Sequence, residues 1–254
     1  MKLSYVIITP AKNEEQFLPD LIMSVISQSL LPKKWIIVSD GSVDRTDEIV
    51  LDFSKKYNWI ELLKMPSHEE RRFDSKVNCI KEGYKHLSKM QFDLIATMDA
   101  DITFDEHHFQ YLVNKFEENP KLGVAGVPFL EGDFNSFYDT SKNINHVSGA
   151  CQIFRNACYE EIGGHIPIKG GGEDWVAVTT ARMKGWETRT YPERFLLHHR
   201  KMGTSNKDIL KARFDQGFRD YYLGNHPLWQ FIRFLFQITK KPFILGGIYL
   251  YWGF

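Results

Sequence analysis

The sequence has little cysteine, no excess of charge and no long apolar run, and each shortage closes a class of function. Lysine and arginine together number 32, as do aspartate and glutamate, so no net field draws the chain onto nucleic acid or acidic lipid. The three cysteines, Cys79, Cys151 and Cys158, form no C-x-x-C pair. Such a set builds neither a disulfide scaffold nor a zinc site, and it points to a reducing compartment. Two of the three stand among apolar neighbours, where a reduced thiol behaves as a small hydrophobe. No stretch reaches the roughly 20 apolar residues of a membrane-spanning helix. Nor does the sequence before Tyr5–Thr9 have signal-peptide architecture, which predicts a cytoplasmic protein. The glycine-rich G-x-G-x-x-G turn is also missing after the first apolar run, and with it the dinucleotide oxidoreductases.

What the sequence does have is alternation. Tyr5–Thr9, Trp35–Ser39, Ile60–Lys64 and Leu94–Met98 are β-rich runs of strand length. Between them Phe17–Gln28, Asp44–Tyr57 and Asp74–Leu87 repeat apolar residues at helical spacing, as Leu18, Leu21, Ile22, Val25 and Ile26 show. Strand–helix alternation of this kind predicts an α/β fold, a mostly parallel sheet with helices on both faces. A helix at His107–Glu118 and a strand at Val124–Pro128 follow, and the polar, aromatic stretch Phe129–Asn145 reads as a long loop. A second block contains strands at Val147–Arg155, Glu187–Tyr191 and Phe195–His199, with helices at Asn156–Ile162 and Glu173–Lys184.

Parallel sheets bind ligands at the carboxyl ends of their strands. The first strand ends in Pro10-Ala11-Lys12-Asn13-Glu14 and the second in Ser39-Asp40-Gly41-Ser42, with Asp44 and Thr46 beyond. Asp40 is placed to accept hydrogen bonds from a base or a ribose, although Asp44 and Asp47 also make an ordinary acidic helix start. The fourth strand ends in Asp99-Ala100-Asp101. An extended segment puts both carboxylates on one side, where they repel each other unless a cation compensates. A hard divalent ion bridging substrate phosphates suits such a pair, while the plain alternative is that Asp101 only caps a loop.

The three motifs, P-A-x-N-E, S-D-G-S-x-D-x-T and hydrophobic-D-A-D, resemble in their order and intervals the family 2 glycosyltransferases of the GT-A fold, from about Tyr5 to about Ser205. The resemblance implies a Rossmann-like sheet plus a smaller, mixed acceptor-side sheet. It implies a catalytic domain over 1–225, with the donor half at about 1–105 and the acceptor half at about 106–225. It further implies an inverting transfer of sugar from a nucleoside-diphosphate sugar to a hydroxyl acceptor, with Mn²⁺ or Mg²⁺ as cofactor and with no nucleic acid as partner. On this resemblance Pro10, Ala11, Asn13, Glu14 and Asp40 hold the nucleoside, Asp99 contacts ribose or metal beside Ala100, and Asp101 binds the ion. Arg72 and Lys76 fall where a basic residue meets base or phosphate, unless they lie on a solvated helix face. Gly149, Gln152, Glu173 and Trp175 match acceptor-site positions, and Asp174 matches the general base. The alternative for Glu173 and Asp174 is a plain acidic helix start. A histidine completes the metal site in some members, and His198 and His199 are the candidates. Strand alternation sends them to opposite faces, so at most one ligates. The adjacent Arg200-Lys201 suits a diphosphate leaving group. A sugar-1-phosphate nucleotidyltransferase would carry a glycine-rich signature with arginine near the first strand, which is absent. A scaffold with a decayed site fits poorly with Asp99, Asp101 and Asp174 all present.

Residues 226–254 are rich in aromatics, with Arg233, Lys240 and Lys241 interspersed. A helical segment of this composition either lies peripherally on a membrane, on the inner face of the plasma membrane beside a lipid-linked acceptor, or packs on the core or on a second subunit of a homodimer.

Overall fold

A computed structural model describes residues 2–66, 75–139, 142–168, 171–200 and 209–254. The first half forms β1 (Tyr5–Ala11), α1 (Leu18–Ile26), β2 (Lys34–Ser39), α2 (Thr46–Ser54), β3 (Ile60–Lys64), α3 (Ser75–His86) and β4 (Leu94–Met98). Then come β5 (Ile102–Thr103), α4 (His108–Glu118), β6 (Leu122–Gly126), β7 (Phe129–Glu131), β8 (Phe134–Asn135), β9 (Cys151–Arg155), α5 (Asn156–Glu161), α6 (Glu173–Met183), β10 (Glu187–Thr190) and β11 (Leu196–His198). Helices α7 (Ile209–Tyr222), α8 (Pro227–Gln237) and α9 (Leu245–Gly253) end the chain.

Seven strands form one sheet in the order β10-β6-β9-β4-β1-β2-β3. It is parallel except at β9, which runs antiparallel to both β4 and β6. Period-two alternation divides the core in two. Tyr5, Ile7, Trp35 and Ile37 face α1, α2 and α4 on one side, and Val6, Ile8, Ile36 and Val38 face α3, α5 and α6 on the other. Each large side chain fully withdrawn from water in this way contributes about 1.5–3 kcal/mol. The polar tips are satisfied: the Trp35 indole donates to Thr9 Oγ1 at 3.0 Å and the Tyr5 hydroxyl to the Leu30 carbonyl at 2.6 Å. All three cysteines are buried and unbridged.

A second, mixed sheet runs β5-β11-β7-β8. Its strands β7 and β8 lie within the stretch 129–145 expected to be loop. They are only 3 and 2 residues long, too short to show a period, and β7 is held by a parallel partner distant in sequence, β11.

The residues pack as two units, Met1–Ile166 with Glu173–His199, and Pro167–Gly172 with Arg200–Phe254. The boundary drawn at 225 from the sequence therefore falls inside the second unit. The reason is α7, whose Gly217 meets the backbone of Leu250 while Gly253 of α9 meets the backbone of Phe214. A helix so closely fitted to α9 belongs with it. The aromatic segment itself is two helices, α8 and α9.

Candidate active site

The loops after β1 and β2 brace each other. Asn13 takes a left-handed backbone, φ 56°, and its side chain accepts from the Val43 amide at 2.8 Å. The Glu14 amide donates to Thr46 Oγ1 at 2.7 Å, the Glu15 amide to Asp44 Oδ2 at 3.0 Å, and the Arg45 amide to Glu15 Oε2 at 3.0 Å. Asp44 therefore fastens one loop to the other as well as opening α2. Asp40 is buried at the strand end, paired with Lys12 Nζ at 3.3 Å. Pro10 and Ala11 complete β1 opposite Val38 and Ser39. The pocket floor expected for a nucleoside is thus a rigid double loop, and Lys12 adds a cation that no spacing rule singled out.

Asp99 and Asp101 do not lie on an extended strand as alternation suggested. β4 ends at Met98, and the chain turns through Ala100 before β5. The turn still brings the carboxylates together, and β11 delivers a third group. Ligand atoms of Asp99, Asp101 and His198 all lie within 4.8 Å of one another. His198 Nε2 stands 3.6 Å from Asp101 Oδ1, and its Nδ1 stands 3.7 Å from Glu131 Oε2 of β7. Nδ1 is buried without a hydrogen bond.

His199 is directed elsewhere. Its Nε2 meets Thr103 Oγ1 at 2.8 Å and its ring stacks on Phe17. The register of β11 on β5, which pairs His198 with Ile102, brings His198 and not His199 to the two carboxylates. Two carboxylate oxygens and one imidazole nitrogen make a donor set that fits Mn²⁺, which accepts both oxygen and imidazole ligands. Glu131 lies beside the other ring nitrogen, at ion-pair distance with no hydrogen bond between them. No local signal marks it, since it lies in the stretch expected to be loop.

Lys76, on the first turn of α3, joins this cluster to α6. Its Nζ donates to Asp99 Oδ1 at 2.5 Å. Burial alone would depress the ammonium pKa, but Asp99, Glu173 and Asp174 outweigh it and hold it above the ordinary lysine value. Asp99 itself is pushed up by burial and by Asp101, against the pull of Lys76. One ammonium therefore feels the metal-type carboxylate and the acidic pair at the start of α6 together. Lys76 is not the solvated helix-face residue that was its plain alternative.

Glu173 and Asp174 open α6 as partly exposed side chains, and Trp175 beside them is 39% exposed. Gly171 and Gly172 lead in with φ of 88° and 104°, so the glycine run has a backbone cause. Gly149 lies directly beneath the Asp174 side chain.

Gln152 does not stand at an acceptor surface as the resemblance implied. It is fully buried on β9, so it cannot touch an acceptor. Its Nε2 donates to the carbonyls of Val147 at 2.9 Å and Asp174 at 3.4 Å, and its Oε1 meets His165 Nε2 at 3.2 Å. Burial, reinforced by Lys76, lowers the His165 pKa to about 4. The neutral ring thus donates to Gln152 through Nε2, and its Nδ1 faces the Tyr159 hydroxyl at 3.3 Å. Burial lowers the His146 pKa, against the pull of the Asp174 charge. Arg72, Gly170 and Lys201, together with Thr204 and Ser205 at the far end of the resemblance, lie outside the described residues.

A sequence model described as glycosyl transferase family 2 matches residues 6–173. The poly-beta-1,6-N-acetyl-D-glucosamine synthase of Staphylococcus epidermidis is 29% identical over 170 residues, covering 59% of this chain and 39% of that protein. The same-named synthase of Staphylococcus aureus is 25% identical over 170 residues with the same coverage. The chain thus spans about two fifths (39%) of the length of these relatives. Among solved structures, a Pyrobaculum calidifontis mannosyltransferase in complex with GDP-Man and Mn²⁺ superposes with a TM-score of 0.67 at 16% identity, over 98% of this chain and 70% of that one. S. aureus TarS in complex with UDP-GlcNAc gives 0.65 at 15% identity, over 88% and 67%. The fold is therefore the GT-A fold of these glycosyltransferases.

Proposed function

The chain belongs to glycosyl transferase family 2, and from that premise we propose that it transfers a sugar from a nucleoside-diphosphate sugar to a hydroxyl of a saccharide or lipid-linked saccharide, with inversion. The observation that carries this reading is the cluster of Asp99, Asp101 and His198, whose ligand atoms lie within 4.8 Å of one another. Lys76 donates to Asp99, and its charge is held up by Glu173 and Asp174 as well.

In this reading the loops at Pro10–Glu14 and Asp40 receive the nucleoside. Asp99, Asp101 and His198 would hold a divalent ion, with Glu131 beside the imidazole, and that ion would offset the charge developing on the departing diphosphate. Asp174 takes the proton of the acceptor hydroxyl as its oxygen bonds to the anomeric carbon. The bond from that carbon to the diphosphate oxygen breaks in the same displacement, releasing a nucleoside diphosphate. Gly149 and Gln152 fix where the base stands, and Glu173 and Trp175 border the acceptor.

The family and the name of the polysaccharide synthase support a role in cell-surface polysaccharide or glycolipid assembly, and we place that role at the inner face of the plasma membrane as part of the same proposal. UDP-N-acetylhexosamines and GDP-mannose are the first donors to try. Asp174→Asn tests the base: donor binding should persist while transfer falls by at least about a hundredfold. Near-normal turnover by that variant removes Asp174 from the role.

A further inference from the structure

The helical unit at the chain's end is built inside out. In water an amphipathic helix buries its apolar stripe and exposes its polar one. On α8 the polar residues face inward: Gln230 and Gln237 are buried, and Arg233 pairs with buried Asp220 of α7. Its large apolar residues face outward, with Trp229 54%, Phe231 45% and Phe236 63% exposed. On α9 the buried side is Gly246, Gly247, Leu250 and Gly253, while Ile248, Tyr251 and Trp252 project, the last 71% exposed. Small residues inward and large apolar residues outward is how helices pack when their surroundings are apolar.

Charge identifies those surroundings. The chain as a whole is balanced, but residues 226–254 contain Arg233, Lys240 and Lys241 and no aspartate or glutamate. Asp220 neutralises Arg233, which leaves Lys240 and Lys241 between α8 and α9, next to exposed Phe243 and Ile244. A second copy would bring these lysines against each other with no carboxylate from this segment to meet them. No helix among the described residues is long and apolar enough to cross a membrane. Tryptophan and tyrosine flanked by lysine suit the headgroup layer.

We propose that the unit of α7, α8 and α9 docks on an anionic lipid surface, inserting the outward apolar faces of α8 and α9 among the headgroups. Lys240 and Lys241 rest on the lipid phosphates. This does not depend on the catalytic reading, and its test needs no turnover.

The full chain is sedimented with phosphatidylcholine vesicles and with phosphatidylcholine–phosphatidylglycerol vesicles, at low and high salt. The wild type should pellet with the anionic vesicles, and less at high salt. The exposed-site variant Trp229→Ser/Phe236→Ser/Trp252→Ser should lower the partition coefficient roughly a hundredfold. The double variant Lys240→Glu/Lys241→Glu, which alters only exposed residues, should lose the preference for anionic vesicles. A wild type that stays in the supernatant with both vesicle types overturns the proposal, as does a triple variant that pellets like the wild type. A dimer seen by light scattering that the triple variant splits assigns the face to a second copy instead.

Discussion

Gly149 lies against the Asp174 carboxylate so closely that a β-carbon on it would stand 2.6 Å from Asp174 Oδ2 and 2.9 Å from Asp174 Cγ. The loop before β9 therefore sets where the proposed base stands. Any side chain at 149 must displace it, and a misplacement of about 1 Å costs on the order of a hundredfold in rate. Gly149→Ala should lower kcat between about tenfold and a hundredfold with donor affinity and melting temperature near those of the wild type. A variant with unchanged kcat would show that Asp174 works from some other position.

Beneath that loop, Gln152 connects the Asp174 carbonyl to buried His165. Gln152→Leu should depress kcat while leaving the dissociation constant of the nucleoside diphosphate unchanged, since no donor group reaches a fully buried side chain. Gln152→Glu, which keeps an acceptor toward His165 but sets a carboxylate oxygen against the Val147 and Asp174 carbonyls, should recover none of the loss at neutral pH. Equal damage to kcat and to nucleotide affinity would mean a general loss of structure.

The sheet and the order of its loops were legible in the sequence because apolar runs of strand length alternate with helical spacing over the first half. The triad was only half legible. Asp99 and Asp101 sit in an adjacent pair, whereas the choice of His198 over His199 depends on how β11 registers on β5. Glu131 was hidden because β7 gains its place from β11, a long-range pairing without local signature. Gln152 was misread because its surface-like residue type hides a buried task, which only the neighbouring His165 and the Asp174 carbonyl reveal. Helix α7 escaped notice because its inner side is glycine against backbone, not an apolar stripe.

Lys76 occupies Asp99 Oδ1 at 2.5 Å, a position where it competes with a divalent ion and also screens Glu173 and Asp174. Lys76→Met should therefore tighten Mn²⁺ binding to the donor-free protein by about threefold to tenfold, as expected for one charge at partly exposed range, and should lower turnover. Isothermal titration with Mn²⁺ in the absence of nucleotide reads this directly. Weaker Mn²⁺ binding in the variant would contradict the competition.

His108 opens α4 fully buried, with neither ring nitrogen hydrogen-bonded, and burial lowers its pKa to about 4. His165 is lowered to about 4 as well. Below the ordinary histidine value of 6.5 the unfolded chain binds these protons and the folded chain does not, so stability falls as pH drops toward 4. From about pH 7 to about pH 5 each histidine should cost on the order of 2 kcal/mol. His108→Leu should remove its share, gaining more stability at the lower pH than at the higher. Urea midpoints for the two proteins at both values check it, and parallel profiles would refute it.

The most direct test of the whole account is release of nucleoside diphosphate from a panel of nucleotide sugars, with Mn²⁺ present and with EDTA, by the wild type and by Asp101→Asn. The wild type should release nucleoside diphosphate from at least one donor, with release abolished by EDTA and reduced at least about a hundredfold in the variant. Tight donor binding with no release from any donor, or release indifferent to both EDTA and Asp101, would contradict it.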